Sequence, residues 1–190
     1  DLFNMDILDL PLLNDSFDIV ECCGVLHHME YPANGLQSLL KVLNKDGFMK
    51  LSLYIESARD DVIAARRYIK DNEIESNLLS IRDFRSEVIS GELPDVYSLT
   101  KTGSDFYTTS ECRDLCFHYQ EHRFTINQLA KLLKTYNLKF LGFVLNSKIK
   151  QVYSSIFPED EFLIDLGNWS KFLEMYPKSF ASTPPFWVTR

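Results

Sequence analysis

Residues 17–54 read FDIVECCGVLHHMEYPANGLQSLLKVLNKDGFMKLSLY. The stretch opens on Phe17, Ile19, Val20, Cys22 and Cys23, a nearly continuous apolar run. Such a run predicts a strand buried on both faces of a parallel sheet. Residues 24–32 read as a loop. A helix is predicted over 33–43, because Leu36, Leu39, Leu40 and Leu43 fall on one helical face. NKDG at 44–47 predicts the helix end, with Gly47 available for a positive φ. A second strand is predicted over 48–55. Strand, helix and strand within about 40 residues form the parallel crossover unit of an α/β sheet.

Working outward, residues 2–10 read as an extended segment, and Pro11 with Asn14, Asp15 and Ser16 as a turn. Beyond residue 57 the periodicity becomes helical. Val62, Ile63, Ala65, Arg66 and Ile69 predict one helix; Leu78, Leu79, Ile81, Phe84, Val88 and Ile89 predict another. Residues 91–103 read as polar and irregular. Ser110 is the predicted cap of a short helix over 112–117. Thr125 is predicted to cap an amphipathic helix with Leu129, Leu132 and Leu133 inward. A strand over 138–145, helices near 147–156 and 165–176, and a short β-prone FWVTR terminus complete the chain.

Composition narrows the function classes. The 190 residues are 45% hydrophobic and 25% charged, which fits a globular protein with a sizeable core. A net charge of −7 argues against a nucleic-acid surface, which needs a basic patch. No apolar run approaches the roughly 20 residues of a membrane span. Adjacent Cys22 and Cys23 would point to opposite faces of a strand, so the four cysteines form no disulfide framework; free thiols point to a reducing, cytoplasmic setting.

The order and spacing of these parts resemble a class I S-adenosylmethionine-dependent methyltransferase of the Rossmann-like, small-molecule type. Residues 17–54 resemble its fourth strand, loop, helix and fifth strand. DILDLPLLNDSFD at 6–18 resembles the exit of its third strand. HRFTINQLAKLLKTYNLKFLGFVL at 122–145 resembles its late helix and sixth strand, and FWVTR its seventh. YTTSECRDLCFHYQEHRFT at 107–125 is similar to a subgroup fused to tetratricopeptide repeats. The resemblance implies an α/β fold with strand order 3-2-1-4-5-7-6. It implies that residues 1–190 are the C-terminal part of a methyltransferase domain, carrying strands three to seven and a mainly helical insertion over about 57–122. The chain starts at Asp1 and holds no glycine-rich cofactor loop, so it is expected to be a fragment whose first two strands lie upstream. As a fragment it should be inactive alone and should expose the edge of its fourth strand.

The resemblance also implies a cofactor, S-adenosyl-L-methionine. Asp6 would accept from the exocyclic amine of adenine, and the backbone N–H of Ile7 would reach the ring. Cys23, Gly24 and Val25 fall at the carboxyl end of the central strand, where open α/β sheets bind ligands. His27 and His28 point in different directions and make a poor chelate. They either shape the loop or move a proton, and His28 is the candidate base. Glu111, Arg113, Asp114, His118, Glu121 and His122 lie where this fold builds its substrate cover; they are candidates for substrate contact or for a polar network. Phe106, Tyr107, Phe117 and Tyr119 could line an acceptor pocket or be ordinary core. Cys112, Cys116, His118 and His122 carry metal-ligating atoms, but their spacing is no standard zinc pattern, and no metal is assigned. An extended chain would instead put His118, Gln120 and His122 on one face.

The function expected is methyl transfer to a small-molecule or protein acceptor, without nucleic acid or membrane as partner. The alternative is a non-catalytic, methyltransferase-like binding module in a repeat-containing protein.

Overall fold

A computed structural model describes residues 2–101, 106–180 and 183–190. Two units emerge: residues 1–58 with 120–190, and Arg59–Tyr119. Among the described residues no helix is long and apolar enough to cross a membrane.

The first unit is built on a four-stranded sheet. Its strands are β1 (Phe17–Cys23), β2 (Leu43–Ser52), β5 (Lys139–Phe143) and β6 (Pro185–Thr189), in the order β1-β2-β6-β5. β1 and β2 run parallel, and β6 is antiparallel to both β2 and β5. This is the 4-5-7-6 side of the expected sheet. A separate two-residue ladder joins β3 (Tyr54–Ile55) to β4 (Arg123–Phe124) in parallel. Helix α1 (Pro32–Lys41) supplies the crossover between β1 and β2. Proline stands at its first turn, where no intrahelical N–H is needed. Helices α5 (Ile126–Thr135), α6 (Ser147–Ile156) and α7 (Leu166–Met175) follow. Thr125 caps α5, as the sequence predicts, and does so in a reciprocal box with Gln128.

The inward residues of these helices form one core with alternate residues of the sheet: Val20, Cys22, Met49, Leu51, Phe186 and Val188. The opposite face of β1 and β2 is different. Phe17, Ile19 and Phe48 are 43%, 62% and 46% exposed, and Glu21 and Cys23 are exposed too. The expectation that β1 is buried on both faces is therefore corrected. A continuous apolar run is compatible with two covered faces, but α1 and the later helices gather on one. β1 also stands at the edge of the sheet.

Three local readings change. Residues 7–13 are not extended but form a 3-10 helix, Ile7–Leu13, capped by the Asp6 carboxylate. NKDG does not end a helix. The ladder passes from Phe17↔Leu43 to Ile19↔Phe48, so residues 44–47 loop out of β2, pinned by Asn44 Nδ2 donating to Asp18 Oδ1 at 2.6 Å. Gly47 has no positive φ; it is needed for space, since a Cβ there would sit 2.8 Å from Leu43 Cδ1 and 3.0 Å from the Asp18 carbonyl. The cap of the short helix α4 (Thr109–Cys116) is Thr108 rather than Ser110, its side chain accepting from the N–H of Glu111.

The second unit holds α2 (Asp60–Asp71), α3 (Leu78–Ser90), a 3-10 helix (Pro94–Lys101) and α4. Residues 94–101 are thus more regular than expected, and the end of that stretch, at Gly103, lies outside the described residues. Val62, Ala65 and Ile69 meet Ile81, Phe84 and Val88 in a core of their own, with Phe106, Cys112 and Leu115. Leu78, Leu79 and Ile89 are exposed instead.

Candidate functional site

The carboxyl ends of parallel strands in an open α/β sheet leave a crevice for ligands. At the end of β1 the structure forms a recess of about 450 Å³. Asp6, Ile7, Cys23 and Val25, singled out on sequence, line it together with Glu21 and Leu39. Their convergence follows from the N-terminal segment. The Oδ1 of Asp6 accepts from the N–H of Leu8 at 2.8 Å and starts the 3-10 helix, which packs on α1. Gly24 turns the chain out of β1 with φ +79°, a conformation glycine adopts without strain, and a Cβ there would meet nothing within 4 Å.

The chemistry of the recess wall is acidic and thiol-bearing. Glu21 pairs with Lys50 on the adjacent strand at 2.7 Å, and this hydrogen bond holds its carboxyl below the usual range. Burial, then the Glu21 charge, pushes the Cys23 thiol up. Burial pushes Cys22 further, to about 11. Both therefore remain thiols at neutral pH, suited to line a site rather than attack a ligand.

A second set of side chains meets at the ends of β1 and β2. After Gly24 the chain makes a 3-10 turn at Leu26–His28. The His28 Nδ1 lies 3.1 Å from the Gln120 carbonyl, and its Nε2 lies 3.3 Å from the Tyr54 hydroxyl. The His27 ring is buried and stacks on Tyr54, centroids 3.7 Å apart. The His27 carbonyl accepts from the N–H of His122 at 2.8 Å, and Gln120 Nε2 approaches His122 Nε2 at 3.0 Å. Gln120 and His122 thus share a side of the extended chain, as the alternation predicts; Glu121 lies between them.

The remaining substrate candidates belong to the second unit. Arg113 and Asp114 are exposed on α4, and Glu111 sits in its first turn. The His118 carbonyl accepts from Arg66 at 2.8 Å. Cys112 and Cys116 are buried, and the hydrogen bond between their thiols holds Cys112 below, and Cys116 well above, the ordinary range. Among the described residues no group of three or more His, Cys, Asp and Glu is placed to hold a metal ion. Phe106 is core and Phe117 packs against it, whereas Tyr107 and Tyr119 are exposed.

Sequence reasoning missed Tyr54 and Gln120. Tyr54 fell inside the strand predicted over 48–55, whereas the structure ends β2 at Ser52. Gln120 meets His28 through its backbone carbonyl, which carries no residue-type signature.

Residues 1–51 match the model of a methyltransferase domain family. An uncharacterised protein of Synechococcus sp. is 28% identical over 149 residues, covering 73% of this chain and 35% of that protein. The tRNA U34 carboxymethyltransferase of Campylobacter lari is 37% identical over 57 residues, 30% of this chain and 20% of that enzyme. The structure of PKMT2 from Rickettsia typhi superimposes with a TM-score of 0.68 at 15% identity, covering 98% of this chain and 37% of that one. Its complex with AdoHcy gives 0.67 at 16% identity, over 98% and 38%. The chain thus spans little more than a third of the length of the first of these relatives. None of those named supports the tetratricopeptide-fused subgroup. Residues 1–51 thus match a methyltransferase domain, and the fold over nearly the whole length is shared with PKMT2.

Proposed function

We propose that this chain forms part of an enzyme that transfers the methyl group of S-adenosylmethionine to a small-molecule or protein acceptor. The observation that carries this reading is the recess at the end of β1, where Asp6, Ile7, Cys23 and Val25 converge beside the Gly24 turn. Its volume suits a nucleoside-sized ligand. Ile7, Val25 and Leu39 offer apolar walls to a purine, and Asp6 offers an acceptor for an exocyclic amine. When bound, the cofactor supplies an electrophilic methyl carbon. The chain's own residues orient the reactants, and good orientation alone lowers a barrier by about 7–11 kcal/mol in favourable cases. An AdoHcy complex of PKMT2, which shares the fold, is consistent with this assignment. The net charge of −7 favours a small molecule or protein over nucleic acid as acceptor.

The cradle is shared with a segment outside residues 1–190. Two features support this. β1 is an edge strand, and the face bearing Phe17, Ile19 and Phe48 carries no covering element among the described residues. Covering that face and pairing that edge would complete a three-layer sheet. Such a segment would hold the glycine-rich loop, and the chain by itself would be inactive.

The test is calorimetric titration of S-adenosylhomocysteine into residues 1–190 and into a longer protein that includes the flanking sequence. Binding by the longer protein alone, weakened at least tenfold by Asp6→Ala, is the expected result. Binding by neither would sink the enzyme reading in favour of a non-catalytic module. Tight binding by residues 1–190 would sink the shared cradle.

A further inference from the structure

Past the carboxyl end of β2 the first unit forms a second recess, of about 430 Å³. Three segments build it. The ladder that pairs Ile55 with Phe124 sets residues 55–57 beside the start of α5. Helix α7 packs on α5, and its Ser170, Leu173 and Glu174, three and four residues apart on one helical face, line the same space. Ile55, Ile126 and Leu173 are buried and give the recess an apolar floor. The volume suits a small molecule. None of its residues lines the recess at the end of β1.

The charge of this recess has one sign. Glu56 and Glu174 line it and are exposed, so two carboxylates stand at its rim, and among the described residues no lysine, arginine or histidine lines it. Neither carboxylate forms an ion pair with a described residue. The N-terminus of α5 opposes them with only about half a positive charge. Two carboxylates are too few to chelate a metal ion, and among the described residues no group of three or more His, Cys, Asp and Glu is placed to do so. Ser57 gives an independent sign of a ligand. It lines the recess, and its Oγ is buried with no hydrogen-bond partner among the described residues. A buried hydroxyl left unpaired is destabilising, and proteins satisfy such groups with protein, water or a ligand.

We propose that this recess is a binding site for an organic ammonium ion, a protonated primary amine on an apolar body. The charged head faces Glu56 and Glu174 and donates an N–H to Ser57 Oγ, whose lone pairs accept it. The body lies on Ile55, Ile126 and Leu173, where its apolar surface leaves water. Each competing class fails on one of these features. A metal ion lacks ligands, an anion meets two carboxylates, and a neutral alcohol leaves both carboxylates without a counter-charge. A bare ammonium ion makes no use of the apolar floor. The site does not depend on the methyltransferase reading.

The experiment titrates three probes of similar shape into the full-length protein: phenethylammonium, 2-phenylethanol and 3-phenylpropionate, a cation, a neutral molecule and an anion. Calorimetry reads affinity, and methyl NMR of Ile55, Ile126 and Leu173 reads location. The cation is expected to bind about tenfold more tightly than the alcohol, to shift those methyl signals, and to bind less tightly as salt is added. The anion should not bind there. Glu56→Gln and Glu174→Gln should each weaken the cation roughly fivefold, and Ser57→Ala by a similar factor. Glu161→Gln, an exposed change outside the recess, should leave its affinity unchanged. Glu56 and Glu174 are exposed, so their variants should keep the Tm of the wild type. Absence of saturable cation binding, equal affinity for the alcohol, methyl shifts confined to other residues, or unchanged affinity in both glutamine variants would overturn the proposal.

Discussion

Both faces of β1 and β2 carry large apolar side chains, and the two meet opposite fates. On one face Val20, Cys22, Met49 and Leu51 pack with Phe186 and Val188 and reach the helices. On the other, Ile19 stands beside Phe48 and Glu21 beside Lys50, and the two apolar side chains are 62% and 46% exposed. Apolar residues in a strand therefore state that a face can be covered, and leave open by what. Burial of the first face stabilises the unit; exposure of the second makes it a surface that favours association.

Predictions that would break or sharpen this contrast differ in size. Phe186→Ala, at a fully buried position shared by β2 and β5, should cost about 3–5 kcal/mol in denaturant unfolding; a loss under 1 kcal/mol would mean the covered face is loosely packed. Gly47→Ala forces a Cβ against two backbone carbonyls at the irregular start of the β1–β2 ladder, and should cost about 1–3 kcal/mol. Thr125→Ala removes the cap of α5, whose Ile126, Leu129 and Leu133 line the covered side, and should cost about 1 kcal/mol, read as a fall in Tm. On the bare face, the raised pKa of Cys23 leaves less thiolate at pH 8.5 than a free cysteine has, so alkylation should be slower than for a model thiol. Glu21→Gln should speed it severalfold, because it removes a negative charge that holds the proton on; Cys22, buried and pushed to about 11, should stay unreacted. The smallest effect is expected from Ile19→Ser, within about 0.5 kcal/mol of wild type but with reduced self-association in light scattering. A cost of 2 kcal/mol there would show that the face is covered in solution.

Much of the fold was legible because the signals were local. The leucines of α1 fall on one helical face, and the Thr125–Gln128 box declares the start of α5 within four residues. The turn chemistry of NKDG was legible as well, but not its setting. Asn44, Asp46 and Gly47 suit any reversal, and only pairing with β1 turns that reversal into a loop inside a strand. Of the candidate site, Asp6, Ile7, Cys23 and Val25 were found through the order of family motifs, and they share one recess. Arg113, Asp114 and His118 belong to the helical unit, and chain proximity to His122 said nothing of a shared site. Tyr54 read as one more residue of the strand predicted over 48–55, because its contact His28 is 26 residues away.

By itself the sequence determined most of the helices and strands, that the sheet is of α/β type, and the cap of α5. These depend on periodicity and on backbone preferences within a few residues. The tertiary structure decided which face of β1 is covered, that Gly47 is kept for space and not for its φ, and that the His28 ring meets the Gln120 carbonyl and the Tyr54 hydroxyl. Those follow from atoms brought within about 4 Å by segments far apart in the chain, where packing and hydrogen bonding act and local propensity has no say.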